Sequence, residues 1–313
     1  VESPVPMKRF YKDTSVEKAG DNWTVLLDGK PVRTPRGTLL ELPTLALARG
    51  ICQEWDEQKE HVLPKTMALT AIGCTALDIV GPDIAECVDR ILPYLLMDTL
   101  CFEDEPKLFY GHNITPMAER QAAEWGPVRE WFQERFGVEL GVGRGIMGPQ
   151  HPEETLAVVR KDLLGRDKWE LTSIEIATAG AKSVIVGAAL VDRADTLPHD
   201  ALRWAILEEQ FQIDRWGLVE GEHDLAHEEM LRWFGATQCF GRNFRETEDA
   251  TKRFFGQYKA LDLEWRKLEI VERAEEEAEK VASARAGLAA RRKRAEELDA
   301  TSARMGNLER GQK

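Results

Sequence analysis

The pattern of apolar residues changes once along this chain, near residue 42, and that change limits the fold more than any single motif. Before it the sequence reads as strands. Phe10 to Val16 and Trp23 to Leu27 are rich in strand-forming residues, the types that suit a pleated, half-buried surface. Asp28-Gly29 gives a hairpin signal between Trp23–Leu27 and Lys30–Arg33. Pro31 and Pro35 suit an edge or a turn, because proline cannot donate to a sheet ladder. Arg36-Gly37 predicts a second turn before Thr38 to Leu42.

Beyond residue 42 the spacing is helical. Thr44 is placed to cap a helix reaching about Gln58, with Leu45, Leu47, Ile51 and Trp55 as its apolar stripe. Further helices are expected at Thr66–Asp78, Pro82–Leu95, Pro116–Phe136, Pro152–Leu164, Ser173–Leu190, His199–Trp216 and Asp224–Phe234. The run Ile174–Val191 contains Glu175 and Lys182. It therefore reads as a buried helix and not as a membrane span, which needs some 18 or more uninterrupted apolar residues.

From about Thr251 the pattern becomes one long helical stretch. Phe254, Tyr258, Leu261, Trp265 and Leu268 recur at alternating four- and three-residue steps on an otherwise charged rod. Such a helix has too little apolar surface to stand alone, so docking on another protein is expected. Residues 246–313 hold 15 acidic and 15 basic residues, whereas residues 1–245 hold 40 acidic and 27 basic. The shift in charge marks a boundary. The expected fold class is α+β. A small N-terminal β domain (1–42, with a leading tail) packs on a larger all-helical domain (43–245), followed by a long charged helical extension (246–313).

The net charge of −13 over 313 residues argues against sequence-independent nucleic-acid binding, which needs a basic footprint. Five cysteines, Cys52, Cys74, Cys87, Cys101 and Cys239, are odd in number and lack a CxxC pair. They make neither a disulfide framework nor a zinc cluster, and they suit a reducing compartment. The chain begins at Val1 and not at Met, which is compatible with a removed targeting segment.

Chemistry-bearing motifs are weak. Gly141–Gly148 superficially matches a dinucleotide loop, but Pro149-Gln150-His151-Pro152 follows where a helix should open, so a plain glycine-rich connection is expected. No P-loop and no GxSxG occurs. His223 and His227 have a spacing that can bind metal, yet lack the HExxH order and a third ligand. The segment 200–216 is more informative. Leu202, Ile206, Glu209, Ile213 and Trp216 step along one face, and Trp204, Leu207 and Phe211 along another. A helix apolar on two faces is buried, so Glu209 is expected inside, where an unpaired carboxylate is costly. It is answered by a basic side chain, with Lys182 and Arg203 as candidates, or it is protonated, or it faces a partner protein, or it serves as an acid or base.

Several blocks occur together. They are Lys8-Arg9-Phe10-Tyr11, Trp23 to Pro35, Glu54-Trp55, Pro64-x-x-Met67-x-Leu69-Thr70, Asp98-Thr99-Leu100-Cys101, Gln121, Trp125-x-Pro127, Trp131, Lys182-Ser183 and the Glu-Glu-x-Phe-Gln-Ile-x-x-Trp-Gly block at Glu208–Gly217. In this order, from about Met7 to about Phe244, they resemble the ATP synthase assembly factor two family of mitochondria and α-proteobacteria, chaperones of the ATPase α subunit. The resemblance implies a non-enzymatic, cofactor-free binder of the α subunit or other ATP synthase subunits. It implies a place on the matrix side of mitochondria, associated with the inner membrane only through the synthase. It also points to acidic positions of the Glu208–Gly217 block, Glu208 or Glu209 together with Asp214, as needed for function; Gln212 and Trp216 of the same block are taken with them as partner-binding positions. Phe254, Tyr258, Leu261, Trp265 and Leu268 are added as the anchor of the extension. Two features depart from the family pattern: the acidic run after Cys101, and the extension beyond Arg245. The extension leaves a second reading open, a permanent accessory subunit of the synthase anchored by its C-terminal helix.

Overall fold

The computed structural model describes residues 7–104, 116–144, 148–217 and 223–243. The extension, with Phe254, Tyr258, Leu261, Trp265 and Leu268, lies outside the described residues.

The first elements are short antiparallel strands. They are β1 (Met7–Lys8), β2 (Thr14–Ala19), β3 (Asn22–Leu27), β4 (Lys30–Pro31) and β5 (Glu41–Leu42). The hairpin at Asp28-Gly29 forms, with φ of 48° and 76°. Two successive positive φ angles give the turn a twist that matches the flanking strands. The carboxylate of Asp28 then accepts the Lys12 and Asp13 N–H groups. Strand β3 lies in the middle, paired with β2 on one side and with β4 and β5 on the other. Its Val25 and Leu27 point inward, with Val32, Leu40 and Leu42 beside them in the buried set.

Helix α1 (Leu45–Asp56) starts at the Thr44 cap, whose hydroxyl accepts the Leu47 N–H. It packs on β2 and β3. The chain then returns to the strands, because β6 (His61–Val62) pairs with β1. The helical body follows as α2 (Ala68–Thr75), a π-helical turn at Ala76–Val80, α3 (Ile84–Leu96), β7 (Phe102–Glu103), α4 (Pro116–Phe136), β8 (Gly143–Arg144), α5 (Glu153–Leu164), α6 (Lys168–Ala181), α7 (Val184–Asp192), α8 (Pro198–Ala205), α9 (Leu207–Trp216) and α10 (His223–Asn243). Asp78 in the π-helical turn joins strands to helices, taking hydrogen bonds from the Thr34 hydroxyl and the Arg36 N–H.

Helix α7 is the centre of the body, with Val184 to Val191 all buried. An apolar, buried helix was expected here, but the chain divides it. Lys182 adopts φ 53° and Ser183 caps a new helix by accepting the Val186 N–H, so α6 and α7 form a packed pair and not one continuous rod. They approach closely at Gly187, where an added methyl would lie 2.4 Å from the Thr178 hydroxyl oxygen.

Both ends of α7 are satisfied from elsewhere, as buried helix termini require. Asp98, fully buried, accepts the Ile185 N–H at the start. At the other end Arg242 of α10 donates to the carbonyls of Leu190, Arg193, Ala194 and Thr196, and Gln238 donates to Thr196. Among the described residues no single helix is long and apolar enough to cross a membrane, and the bent pair 68–80 and 84–101 contributes Ile72, Val80, Val88 and Ile91 to the buried interior. All five cysteines are free thiols.

A candidate partner-binding surface

The segment read as one helix from 199 to 216 is two. Ile206 (φ −106°, ψ 14°) separates α8 from α9. In an unbroken helix the carbonyl of Trp204 would accept an N–H four residues on. Here it accepts the indole N–H of Trp125 on α4, at 3.0 Å. The break re-aims everything after it. Leu207 plugs α9 into the interior and Phe211 lies half-buried against the core. The Phe211 ring stacks under two guanidinium groups, Arg215 at 4.4 Å and Arg120 at 5.6 Å. Asp214 closes the contact with α4 through Arg120, at 2.6 Å. Hydrogen bonds from Gln210 and Arg120 hold its carboxyl below the usual range.

Gln121 organises the other side of α9. It is 1% exposed, and both ends of its amide are used. Its oxygen accepts the Asp104 N–H at 2.7 Å, and its nitrogen donates to the Glu208 carboxylate at 3.0 Å. The result is an open groove of about 410 Å³ with Phe102, Met117 and Phe211 as its apolar floor and Glu103, Asp104, Glu208 and Gln212 as its polar lining. The carboxylates differ in their compensation. Glu103 is bridged by Arg129 and Arg144. Among the described residues, Asp104 and Glu208 are paired with no cation.

The structure thus brings Glu208 and Gln212 to one groove and places Asp214 on the contact with α4. Trp216 stands at the end of α9 with 75% of its surface exposed. The expectation for Glu209 is corrected. It is not buried, with its side chain 38% exposed, and its answering group is His227 of α10, at 2.7 Å. Arg203 pairs with Glu124 and Asp200 instead, and Lys182 occupies the left-handed turn before α7. The row that counted Glu209 among apolar residues assumed an unbroken helix. Gln121, Phe102, Asp104 and Met117 were not singled out as site residues. Gln121 and Trp125 did stand in the family blocks, which was the available signal. Among the described residues no cluster of three or more metal-ligating side chains occurs. Residues 145–147 of the glycine-rich connection lie outside the described residues. Gly141 in it is required by close approach, since an added methyl would collide with the Gln150 carbonyl at 2.0 Å.

The described body is helical with a thin strand layer, and it presents an exposed helix edge beside a mixed apolar and acidic groove. Residues 8–133 match the family model described as ATP12 chaperone protein. The chain is 25% identical to the mitochondrial protein atp12 of Schizosaccharomyces pombe, over 79% of this chain and 87% of that one. It is 23% identical to the mitochondrial protein ATP12 of Saccharomyces cerevisiae, over 72% and 81%. The crystal structure of Atp12 from Paracoccus denitrificans superposes with a TM-score of 0.67 at 26% identity, covering 77% of this chain and 99% of that one. The resemblance read from the sequence blocks is borne out: this chain is a relative of the ATP12 chaperones in sequence and in fold.

Proposed function

We propose that this chain is a mitochondrial chaperone of ATP synthase assembly, which holds the unassembled α subunit by surface complementarity, without a cofactor or a covalent step. The observation that carries the reading is the exposed edge of α9. Glu208, Gln212 and Trp216 face outward on a helix fixed to α4 by buried and ion-paired contacts. A large indole left in water at the end of a fixed helix is the kind of anchor that dominates protein interfaces. A subunit awaiting assembly exposes an interface-sized apolar patch and aggregates, and a preformed edge of this kind covers such a patch at little ordering cost. The names of the relatives, ATP12 chaperone and mitochondrial ATP12, support the class and the compartment. A matrix-side location follows from the proposed client. The permanent-subunit reading depended on the extension, which lies outside the described residues, and no observation favours it.

The test is direct. Purified α subunit diluted from denaturant scatters light as it aggregates. An equimolar amount of this chain is expected to suppress the scattering and to elute with α subunit as a complex. Trp216→Ala should weaken that complex by about 2 kcal/mol, some thirtyfold in Kd, without moving the thermal midpoint of the chain alone. Unchanged scattering with the wild-type chain, together with separate elution, would refute the proposal.

A further inference from the structure

The apolar surface beside the groove is larger than the edge of α9. Helix α3 ends in Leu96 and Met97, and Met97 is 60% exposed; Val142, 40% exposed, precedes β8. These side chains lie on neighbouring segments. A methyl group added to Gly148 would sit 3.4 Å from the Met97 sulfur and 3.9 Å from the Phe102 ring, so Met97 and Phe102 both flank that glycine. Phe102 pairs with Gly143 between β7 and β8, and it is also part of the groove floor with Met117 and Phe211. Exposed Met97 thus lies beside the same glycine as Phe102, at the end of the groove that Asp104 and Glu208 line.

These segments are held in place. His151 accepts the Gly141 N–H at its Nδ1, which leaves the proton on Nε2 facing the Leu95 carbonyl at 2.8 Å. That ring fastens the segment carrying Val142 to the end of α3. Its burial keeps the imidazole pKa below the ordinary value, so the neutral form that makes both bonds persists.

We propose that Leu96, Met97 and Val142 form an apolar shelf that extends the docking surface, and that shelf and groove together take one extended segment of the client. That segment carries apolar side chains over the shelf and a lysine or arginine toward Asp104 and Glu208. Charge complementarity fixes this occupant. The two groove carboxylates are paired with no cation among the described residues, while the neighbouring Glu103 is already neutralised by two arginines. The body as a whole is acidic, 40 carboxylates against 27 cations over residues 1–245, which draws a basic segment and repels an acidic one. The proposal rests on the α-subunit reading above and adds the shelf and the chemistry of the bound segment to it.

The experiment measures binding of unassembled α subunit to the full chain by fluorescence anisotropy at two salt concentrations. Met97→Asp and Val142→Asp replace exposed side chains, so their thermal midpoints should match wild type, and the second variant serves if the first fails to fold. Each is expected to weaken binding about tenfold or more, with a salt dependence at least as steep as that of wild type, because each adds a carboxylate. Glu208→Gln is expected to weaken binding less and to flatten the salt dependence. Wild-type affinity in both aspartate variants, with binding still weakened in Trp216→Ala, overturns the shelf and leaves the chaperone reading standing. A salt dependence that Glu208→Gln does not alter overturns the basic occupant. Absence of α-subunit binding by the wild-type chain removes both readings together.

Discussion

Glu54 is the buried acid whose replacement tests the electrostatics of this fold most sharply. It lies on the inner face of α1, 7% exposed, and no ion pair among the described residues involves it. Its carboxylate accepts the Leu69 N–H at 2.7 Å, the Thr70 N–H at 2.8 Å and the Thr70 hydroxyl at 2.7 Å. Those amides open α2 and have no partner within the helix. Two effects compete: the three donors favour the ionised acid, and burial favours the neutral one. Burial is the larger, and the pKa rises from its ordinary 4.5 to about 7. The folded state therefore holds a proton that the unfolded chain has released between those two pH values. Stability from this group is complete below pH 4.5 and is lost as pH rises through 7. The full rise corresponds to roughly 3 kcal/mol, and the part falling between about pH 5 and pH 8 to roughly 2.5 kcal/mol. Glutamine does not titrate, and its amide cannot accept from all three donors, so Glu54→Gln should be less stable by about 1–3 kcal/mol at about pH 5. Urea denaturation of both proteins at the two pH values should show that deficit shrinking by about 2.5 kcal/mol at the higher pH. A deficit that stays constant or grows with pH would mean that the acid is ionised throughout and that the helix amides outweigh burial.

Two further perturbations probe the packing around α7. Arg242→Met strips the carbonyls of Leu190, Arg193, Ala194 and Thr196 of a shared donor, which should cost about 3 kcal/mol and lower the thermal midpoint by about 6–12 °C in calorimetry. Gly187→Ala and Gly126→Ala make a matched pair. The first drives a methyl to 2.4 Å from the Thr178 oxygen and should destabilise by about 1–3 kcal/mol, whereas the second adds a methyl with nothing within 4 Å and should stabilise α4 by about 0.5–1 kcal/mol; equal effects in denaturant melts would contradict the close approach of α6 and α7.

What the sequence determined by itself was local. The Asp28-Gly29 turn needs two positive φ angles, and its residue types announce that within four positions. Thr44 caps α1 with a side chain that reaches three residues along its own chain. The burial of 184–191 follows from composition alone, since a helix apolar all round has no face to offer water. The family resemblance was legible for a related reason, because its blocks are short runs that can be read without knowing the fold.

The tertiary structure decided the rest. An all-apolar run carries no periodic phase, so nothing within it marked the turn at Lys182-Ser183. That turn exists because α7 must lie back on α6 with its N–H groups met by Ser183 and by Asp98, whose carboxylate comes from 87 residues before Ile185. Likewise the break at Ile206 depends on a carbonyl taken by Trp125, 79 residues away. Once it is made, the helical count that placed Glu209 in an apolar row loses its phase, and the acid meets His227 at the surface. The groove is non-local in the same way: Gln121 joins Asp104 to Glu208 across 17 and 87 residues. Sequence spacing fixes which side chains share a turn or a helix face, but the partner of a polar group buried between elements is chosen by which distant backbone atom would otherwise go unpaired.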